Sequence, residues 1–418
     1  MGPTRRVVCC LLLAACGDDG GVIGDASVDG STVDAPTGAR PHPLYPSLDL
    51  DTLPGPGGGA SGPYTPPTLP ATSRNVTATT ANELVTACQT AGAAVSVPDG
   101  SGPFTTIDLG NAIDCDITFG PNVTAQLLFV GHLPGPVVAP AHRVRIRGGQ
   151  FGQLIVDGGS TDLVFDGIVI NNAILPPAQR QGTAIYFIDV NGTAANRVAI
   201  INSVVRMVAT TPGPDTDGCG YLSGGSRNIF FANNNIVTAG NRNAWGFRIG
   251  GGENYILIDN TVRVSFHKLV RMNDGAVDYV YIKNGTWMRE ATLTSGGLAI
   301  NDSFAQLGDL GTDHIYIHDP QIHLLSPEPV VFGASLGPNQ VGKIWEARRI
   351  HWYASGPTVV SDAMLMNAQA NCASGATCDY GVGTHEYTYA SPAMLPANPW
   401  RSLPTIAVDD PDDYPIAP

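Results

Sequence analysis

The chain has little charge, few aromatic residues and no long apolar run beyond its start. Of its 418 residues, 14% are charged and 7% are aromatic. No stretch after residue 15 reaches the roughly 18 uninterrupted apolar residues of a membrane-spanning helix. The net charge of −14 excludes sequence-independent binding to nucleic acid, because such binding needs a basic surface. No glycine-rich loop opens a helix after a strand, which excludes the usual nucleotide enzymes.

What is present is the apolar content of a folded protein. An apolar fraction of 43% excludes disorder over the whole length, and the 50 glycines follow no three-residue period, which excludes collagen. The length fits one large domain or two ordinary ones. We expect a monomer without a nucleic-acid partner.

The N-terminus has the features of an export signal. Arg5 and Arg6 precede a short apolar run over residues 7–15, which ends in Leu-Ala-Ala and is followed by Cys16. This ending resembles a bacterial lipoprotein signal, which implies that residues 1–15 are removed and that Cys16 carries a lipid. The protein would then lie in the bacterial cell envelope, at the outer membrane or cell surface, and touch the membrane through this anchor only. An ordinary secretory peptide is the alternative.

Residues 16–73 are rich in glycine, proline, aspartate, serine and threonine and contain almost no aromatic residue. Such a composition does not bury enough apolar surface to offset the entropy lost on ordering. The sequence therefore predicts a disordered tether between the anchor and the folded body.

Six cysteines remain after removal of the signal peptide, in a compartment where disulfides form. Cys372 and Cys378 close a short loop and are expected to pair. Cys88 with Cys115 is the next expected bridge. Cys219 is then left over as a small buried apolar residue.

One short helix is predicted at the start of the body. Residues 80–83, Thr-Ala-Asn-Glu, have the spacing of a capping box. Continued through residue 91, the helix places Leu84, Val85 and Cys88 on one face.

Short strands follow, and their apolar residues recur with a fixed spacing. Counted from a first apolar residue i, bulky residues return at i+2 and usually at i+7. The rows are Val144, Ile146, Phe151; Leu163, Phe165, Ile170; Val198, Ile200, Val205; Ile229, Phe231, Ile236; Tyr255, Leu257, Val262; Tyr279, Tyr281, Thr286; and Ile315, Ile317, Ile322. Their starts are 19 to 36 residues apart. A variable period around a fixed motif is typical of a solenoid whose coils carry loops of different length.

Each row bends at i+4 and i+5, between strand segments of two different sheets. The i+5 positions include Asn234, Asn260 and Asn284, which are expected to stack as a ladder of amides along the axis. In this spacing the sequence resembles the right-handed parallel β-helix of pectate-lyase-like proteins. The predicted fold is all-β, a parallel β-helix solenoid over residues 74–325 behind an N-terminal capping helix. A β-sandwich of short strands is the alternative.

The middle rows are also apolar at i+1 and i+3, on the outward side of the sheet. These residues are Ala199, Ile201, Phe230, Ala232, Ile256, Ile258, Val280 and Ile282. A sheet that is apolar on both faces is covered on both faces. We expect the C-terminal segment 326–418, which contains Trp345, Trp352 and Trp400, to pack over this outward face. Dimerisation through the same face is the alternative.

Two arginines are expected on neighbouring coils. Aligning residues 245–249 with residues 268–272 places Arg248 beside Arg271, and adjacent strands lie about 4.8 Å apart. Two guanidinium groups this close favour an anion between them, which predicts an acidic polysaccharide as the partner. The polar residues expected around the pair are Asp215, Asp217, Asn273 and Asp274. An internal salt bridge is the alternative.

A second outward column is expected at i+8. A stripe of guanidinium, indole and imidazole groups is typical of surfaces on which sugar rings stack. Its members that we expect to bind substrate are Arg206, Arg263, Trp287 and His323.

The strand around Arg271 also resembles the alginate-lyase and chondroitinase B family of polysaccharide lyases. Residues 269–275, Leu-Val-Arg-Met-Asn-Asp-Gly, are similar to that family's arginine strand, which implies that Arg271 acts as the acid. Arg248 occupies the position of the family's catalytic lysine. Because arginine stays protonated, His267 or Lys268 would act as the base. The resemblance also makes calcium a candidate cofactor.

Two other kinds of site are disfavoured. Residues 215–218, Asp-Thr-Asp-Gly, are similar to a polygalacturonase motif, but the second aspartate that hydrolysis needs is missing from residues 240–243. His314, His318 and His323 lie on one row without converging, so no metal site is predicted. The sequence therefore predicts an exported protein that binds acidic polysaccharide, with a lyase-like groove. A non-catalytic surface-binding or structural lipoprotein is the alternative.

Overall fold

The strands of the body pair in parallel, coil on coil, and form a right-handed parallel β-helix. The protein is represented by a computed structural model. It describes residues 39–133, 137–179, 183–188, 194–208, 218–222, 225–239, 245–264, 269–272, 275–289, 303–307, 312–324, 330–334, 343–354, 377–379 and 386–389. Within these ranges no helix is long and apolar enough to cross a membrane.

Each complete coil contributes one strand to each of three sheets. The strands of sheet 1 are Arg74–Thr77, Ala93–Val97, Ile113–Phe119, His142–Arg147, Thr161–Asp166, Asn196–Ile201, Arg227–Ala232, Gly252–Ile258, Val277–Lys283, Asp313–His318, Ile344–Arg348 and Thr377–Asp379. Sheet 2 follows the corner of each coil, with strands Val169–Asn171, Val204–Val208, Asn235–Ala239, Thr261–Val264, Thr286–Arg289, Gln321–Leu324, His351–Ala354 and Glu386–Tyr389. Sheet 3 closes the coil, with strands Phe104–Leu109, Thr124–Val130, Gln150–Asp157, Thr183–Ile188, Gly218–Leu222, Trp245–Ile249, Val270–Met272, Ser303–Leu307 and Val330–Ala334. The first residues of Gln150–Asp157 also pair with sheet 2.

Several short elements lie outside the three sheets. Three antiparallel pairs join Pro41–His42 with Tyr45–Asp49, Gly58–Gly59 with Gly62–Pro63, and His132–Leu133 with Val137–Val138. Single 3-10 turns span Leu50–Thr52, Asn172–Ile174 and Pro177–Gln179.

The capping helix is confirmed, although it spans Ala81–Cys88 and ends three residues before the predicted limit at residue 91. The Thr80 side chain accepts from the backbone N–H of Glu83, and the Glu83 carboxylate accepts from the backbone N–H of Thr80, as a capping box requires. The disulfide between Cys88 and Cys115 is also confirmed and ties the helix to sheet 1. The predicted bond of Cys372 with Cys378 involves Cys372, which lies outside the described residues.

The predicted rows stack in register from the fourth strand of sheet 1 onward. Leu163 pairs with Val198, and Phe165 with Ile200, and both columns belong to one continuous core. The row that begins at Tyr279 is wrong by one residue, because Val280 pairs with Tyr255. Both parities of this strand are apolar, so the pattern alone did not separate them.

The corner ladder is confirmed for two of its three asparagines. Oδ1 of Asn260 accepts from the backbone N–H of Asn234 at 3.1 Å and from its Nδ2 at 2.9 Å. Ser203 extends this buried ladder, since its N–H donates to Oδ1 of Asn234 at 2.9 Å. Asn284 is not a member, because the corrected register moves it to i+4, where its Nδ2 donates to Oδ1 of Asp259 at 2.8 Å. Residues at i+4 have positive φ, which asparagine and aspartate tolerate well.

The β-helix extends past the predicted limit at residue 325. Strands of all three sheets continue it, and the last described one is Glu386–Tyr389. Trp345, expected in a C-terminal cover, is fully buried in the core, and Trp352 pairs with Ile322 in sheet 2. The prediction of a covering segment is therefore wrong for the described part of residues 326–418. Trp400 lies outside the described residues.

The outward apolar face of sheet 1 is covered by the N-terminal segment instead. We call residues 40–73 the strap. Its buried apolar side chains include Leu48, Leu50, Leu53 and Tyr64. They pack on the outward residues Val164, Ala199, Ile201, Phe230, Ala232, Ile256, Ile258, Tyr279, Tyr281 and Tyr316. The disordered tether predicted for residues 16–73 is therefore wrong over the strap, because the sheet offers a preformed apolar surface on which a few apolar side chains are enough.

Hydrogen bonds fix the strap along the helix axis. The backbone N–H of Thr68 donates to Oδ1 of Asp162 at 2.8 Å, and the hydroxyl of Tyr279 donates to the carbonyl of Pro54 at 2.9 Å. Asp162 and Tyr279 occupy the same position near the start of sheet 1 strands in different coils, and both have positive φ. The strap therefore runs across successive coils, and side chains of sheet 1 satisfy some of its backbone polar groups.

Candidate functional site

The two arginines expected on neighbouring coils are neighbours in sheet 3. Arg248 pairs in register with Arg271, and both side chains are half-buried. The guanidinium carbon of Arg248 lies 5.1 Å from the ring centre of Trp245, and that of Arg271 lies 5.9 Å from it. Trp245 itself is buried. Both guanidinium groups therefore lie within cation–π distance of the same indole ring, and this contact orients them.

The pair belongs to a longer column on the outward face of sheet 3, which we call the outer column. Pairing from coil to coil gives its order as Asp108, Phe129, Ile155, Tyr186, Tyr221, Arg248, Arg271 and Gln306. Phe129, Ile155 and Tyr186 are each partly exposed. With coils about 4.8 Å apart, the six steps from Asp108 to Arg271 span about 29 Å. The column thus joins apolar and aromatic positions to a cationic pair.

A histidine that sequence reasoning missed lies at the other end of this column. Nδ1 of His132 lies 2.5 Å from Oδ2 of Asp157, and the imidazole stacks on Phe129 with 5.0 Å between ring centres. The Asp157 side chain is buried and that of His132 is one-fifth exposed. Burial raises the pKa of the adjacent Asp108, and His132 offsets part of that rise. No repeat position predicted this group, because His132 follows the strand, in a short hairpin.

The second predicted column is not an exposed stripe. Arg206 and His323 are buried, and burial together with His351 lowers the pKa of His323 to about 4. Trp287 faces the core, where it packs on Phe247 and Phe304, because the register shift at Tyr279 moves Met288 into its place. Of the predicted members, Arg263 alone is half-buried. The predicted exposed position is therefore wrong for Arg206, Trp287 and His323, and their role in substrate binding stays an untested prediction.

The other predicted site residues lie outside the described residues. They are the lipidation site Cys16, the candidate bases His267 and Lys268, and the polar residues Asp215, Asp217, Asn273 and Asp274. Their roles stay predictions.

One group of the described residues brings three metal-ligating side chains within 4.8 Å of one another: Asp278, Asp313 and His314. Its oxygens already accept from protein donors. Oδ1 of Asp278 is 2.9 Å from Nδ1 of His314, and Oδ2 of Asp313 is 3.3 Å from the ammonium of Lys343. A lysine at that distance repels a cation, so this group is a hydrogen-bonded network of the strap side of sheet 1 and does not fit calcium.

The chain is similar, at a low level, to two solved pectate lyase structures. No protein-family model matches it, and no curated protein is significantly similar. The two structures are variants of a pectate lyase from Xanthomonas campestris, with 10% and 9% sequence identity. The matches cover 83% and 82% of this chain and 92% and 88% of the lyase chains, with TM-scores of 0.25 and 0.24. Scores this low carry no argument about activity, and the fold rests on the strand pairings themselves.

Proposed function

We propose that the protein binds an acidic polysaccharide along the outer column of sheet 3. The observation that carries this proposal is the register pairing of Arg248 with Arg271, both half-exposed and both on the face of Trp245. A carboxylate or sulfate group between them interacts with two cations at once.

The rest of the column suits the sugar rings of the same chain. Phe129 and Tyr186 offer partly exposed aromatic faces on the coils before the arginines. Apolar faces of sugar rings pack on such side chains, while hydroxyl and acidic groups bond to polar neighbours. A polysaccharide lying parallel to the axis would meet aromatic positions first and the cationic pair next. The net charge of −14 then confines anion binding to this local patch.

We place this binding at the bacterial cell envelope. The support is the signal-like sequence that ends at Cys16, with a lipid on that cysteine as the membrane anchor. Acidic glycans occur outside the cytoplasm, so the proposed location is consistent with the proposed ligand.

Cleavage by β-elimination is a second candidate, favoured by the same arginine pair. A base, His267 or Lys268, would take the proton from the carbon next to a uronate carboxylate. Arg248 and Arg271 would offset the enolate charge, and the carbon–oxygen bond would break as the leaving oxygen gains a proton. The product would be an unsaturated uronate.

Binding is tested by calorimetry with alginate, pectate and glycosaminoglycan oligomers. The double variant Arg248→Gln, Arg271→Gln is expected to bind roughly a hundredfold more weakly, because two charge-assisted hydrogen bonds are lost. The control is Arg227→Gln, which removes an exposed arginine of sheet 1 and should leave affinity unchanged. Equal affinity of the double variant and the wild type would refute the proposal. Cleavage is tested by the ultraviolet absorbance of the unsaturated uronate product. If no absorbance develops with or without calcium, cleavage is refuted, while the binding proposal is unaffected.

A further inference from the structure

A cavity of about 420 Å³ lies on the outward face of sheet 1, at the N-terminal end of the β-helix. Its volume is within the range of about 300–1,000 Å³ found for small-molecule sites. The lining comes from the first four strands of the sheet, from Arg74–Thr77 to His142–Arg147. The apolar contacts of the strap begin at Val164, one coil beyond the cavity. The cavity is therefore separate from both the strap cluster and the outer column of sheet 3.

Three hydroxyl side chains form a ladder along one wall of this cavity. Thr77 pairs in register with Ser96, and Ser96 with Thr118. All three are exposed. Each hydroxyl donates one hydrogen bond and accepts two, and successive coils lie about 4.8 Å apart. The wall thus presents donors and acceptors to a ligand at regular intervals.

The charges of the cavity cancel. Nη2 of Arg147 lies 3.0 Å from Oδ1 of Asp116, one coil away. Among the described residues neither Oδ1 of Asp116 nor Nε of Arg147 has an aligned hydrogen-bond partner. Both of these atoms are buried, while 40% of the Arg147 side chain and 18% of the Asp116 side chain stay exposed. Asn75 adds an amide to the same lining.

This chemistry selects the class of ligand. An anion would be repelled by Asp116 and a cation by Arg147, whereas a neutral polyol can bond to both. The lining contains no aromatic ring, so recognition rests on hydroxyl and amide groups. We propose that this cavity binds a neutral sugar unit, either free or within a glycan chain. This site does not depend on the acidic-glycan function proposed for sheet 3.

The test is titration of the whole protein with glucose, galactose and mannose and with hexamers of each, followed by ligand-observed NMR and calorimetry. We expect saturable binding of at least one neutral sugar. A hexamer that binds at least tenfold more tightly than its monomer identifies a glycan chain as the ligand, and equal affinity identifies the free sugar.

The decisive variant is Ser96→Ala with Thr118→Val. Both positions are exposed, so the change leaves the core intact. Affinity for the neutral sugar is expected to fall about tenfold, because two hydroxyl hydrogen bonds are lost. The matched control is Thr105→Val, an exposed threonine of sheet 3 outside the lining, which should bind as the wild type does.

Two results would overturn the site. One is the absence of saturable binding with every neutral sugar, and the other is unchanged affinity in the double hydroxyl variant. The variant Arg248→Gln, Arg271→Gln separates the two proposals, since it should lose acidic glycan and keep the neutral sugar. Competition of a uronate hexamer for the neutral-sugar site in that variant would show that the ligand class is wrong.

Discussion

Docking of the strap should weaken in acid because of one buried histidine, His42. Its side chain is fully buried in the strap and stacks on Phe230 of sheet 1, with 4.0 Å between ring centres. Nδ1 lies 3.2 Å from the backbone N of Leu44, whose N–H donates to it. Nε2 lies 3.1 Å from the hydroxyl of Tyr64. A proton on Nδ1 would therefore face another donor, so the docked strap holds the neutral ring.

The pKa of His42 sets the size of the effect. Burial lowers it from 6.5 to about 4. Between these values the detached strap binds a proton that the docked strap does not bind, so docking is fully favourable above about pH 6.5 and weakens as the pH falls. At about pH 4 and below, the docking free energy of the strap is less favourable by about 3 kcal/mol, which lowers the docking equilibrium constant more than a hundredfold.

Hydrogen exchange followed by mass spectrometry measures this directly. Peptides from residues 40–73 are expected to lose protection between about pH 7 and about pH 4.5 after correction for the intrinsic exchange rate. The control variant His42→Gln stays neutral and can still donate to Tyr64, so its strap should keep its protection. His323 also has a pKa lowered to about 4, which is why the readout must be local to the strap. Equal loss of strap protection in the wild type and in His42→Gln would refute this reasoning, as would constant protection in the wild type.

Two predictions concern the core of the β-helix. Asn234→Ala should lower the free energy of unfolding by about 2–4 kcal/mol in a denaturant titration, because Ser203 N–H and the carbonyl of Ile200 lose buried partners. The control Asn233→Gly lies on the exposed side of the same turn, at a positive φ that glycine adopts, and should cost less than about 1 kcal/mol. Equal costs of the two variants would contradict the buried ladder. Trp287→Ala should lower the free energy of unfolding by about 3–5 kcal/mol in the same titration, as a large core deletion does, with no change in glycan affinity. Little destabilisation together with weakened glycan binding would contradict the buried position and show that Trp287 is an exposed ligand-binding residue.

The neighbourhood of Arg248 and Arg271 followed from the sequence, but the chemistry around it did not. Both lie at the same place in strands of similar pattern, and parallel stacking then makes them neighbours. Their shared contact with Trp245 depends on side-chain direction within one strand, which a repeat pattern does not contain. The His132–Asp157 pair joins a hairpin to a strand, so no periodic spacing predicts it.

The sequence by itself determined the coils and the capping helix. These depend on local spacing, and a residue repeated at a fixed position in each coil has its partner specified by the repeat. Tertiary structure alone decided the register at Val280 and the docking of the strap. Where both faces of a strand are apolar, only packing against the coils on either side selects the inward face. A segment poor in apolar residues is ordered when a preformed apolar sheet supplies the surface that its own composition lacks.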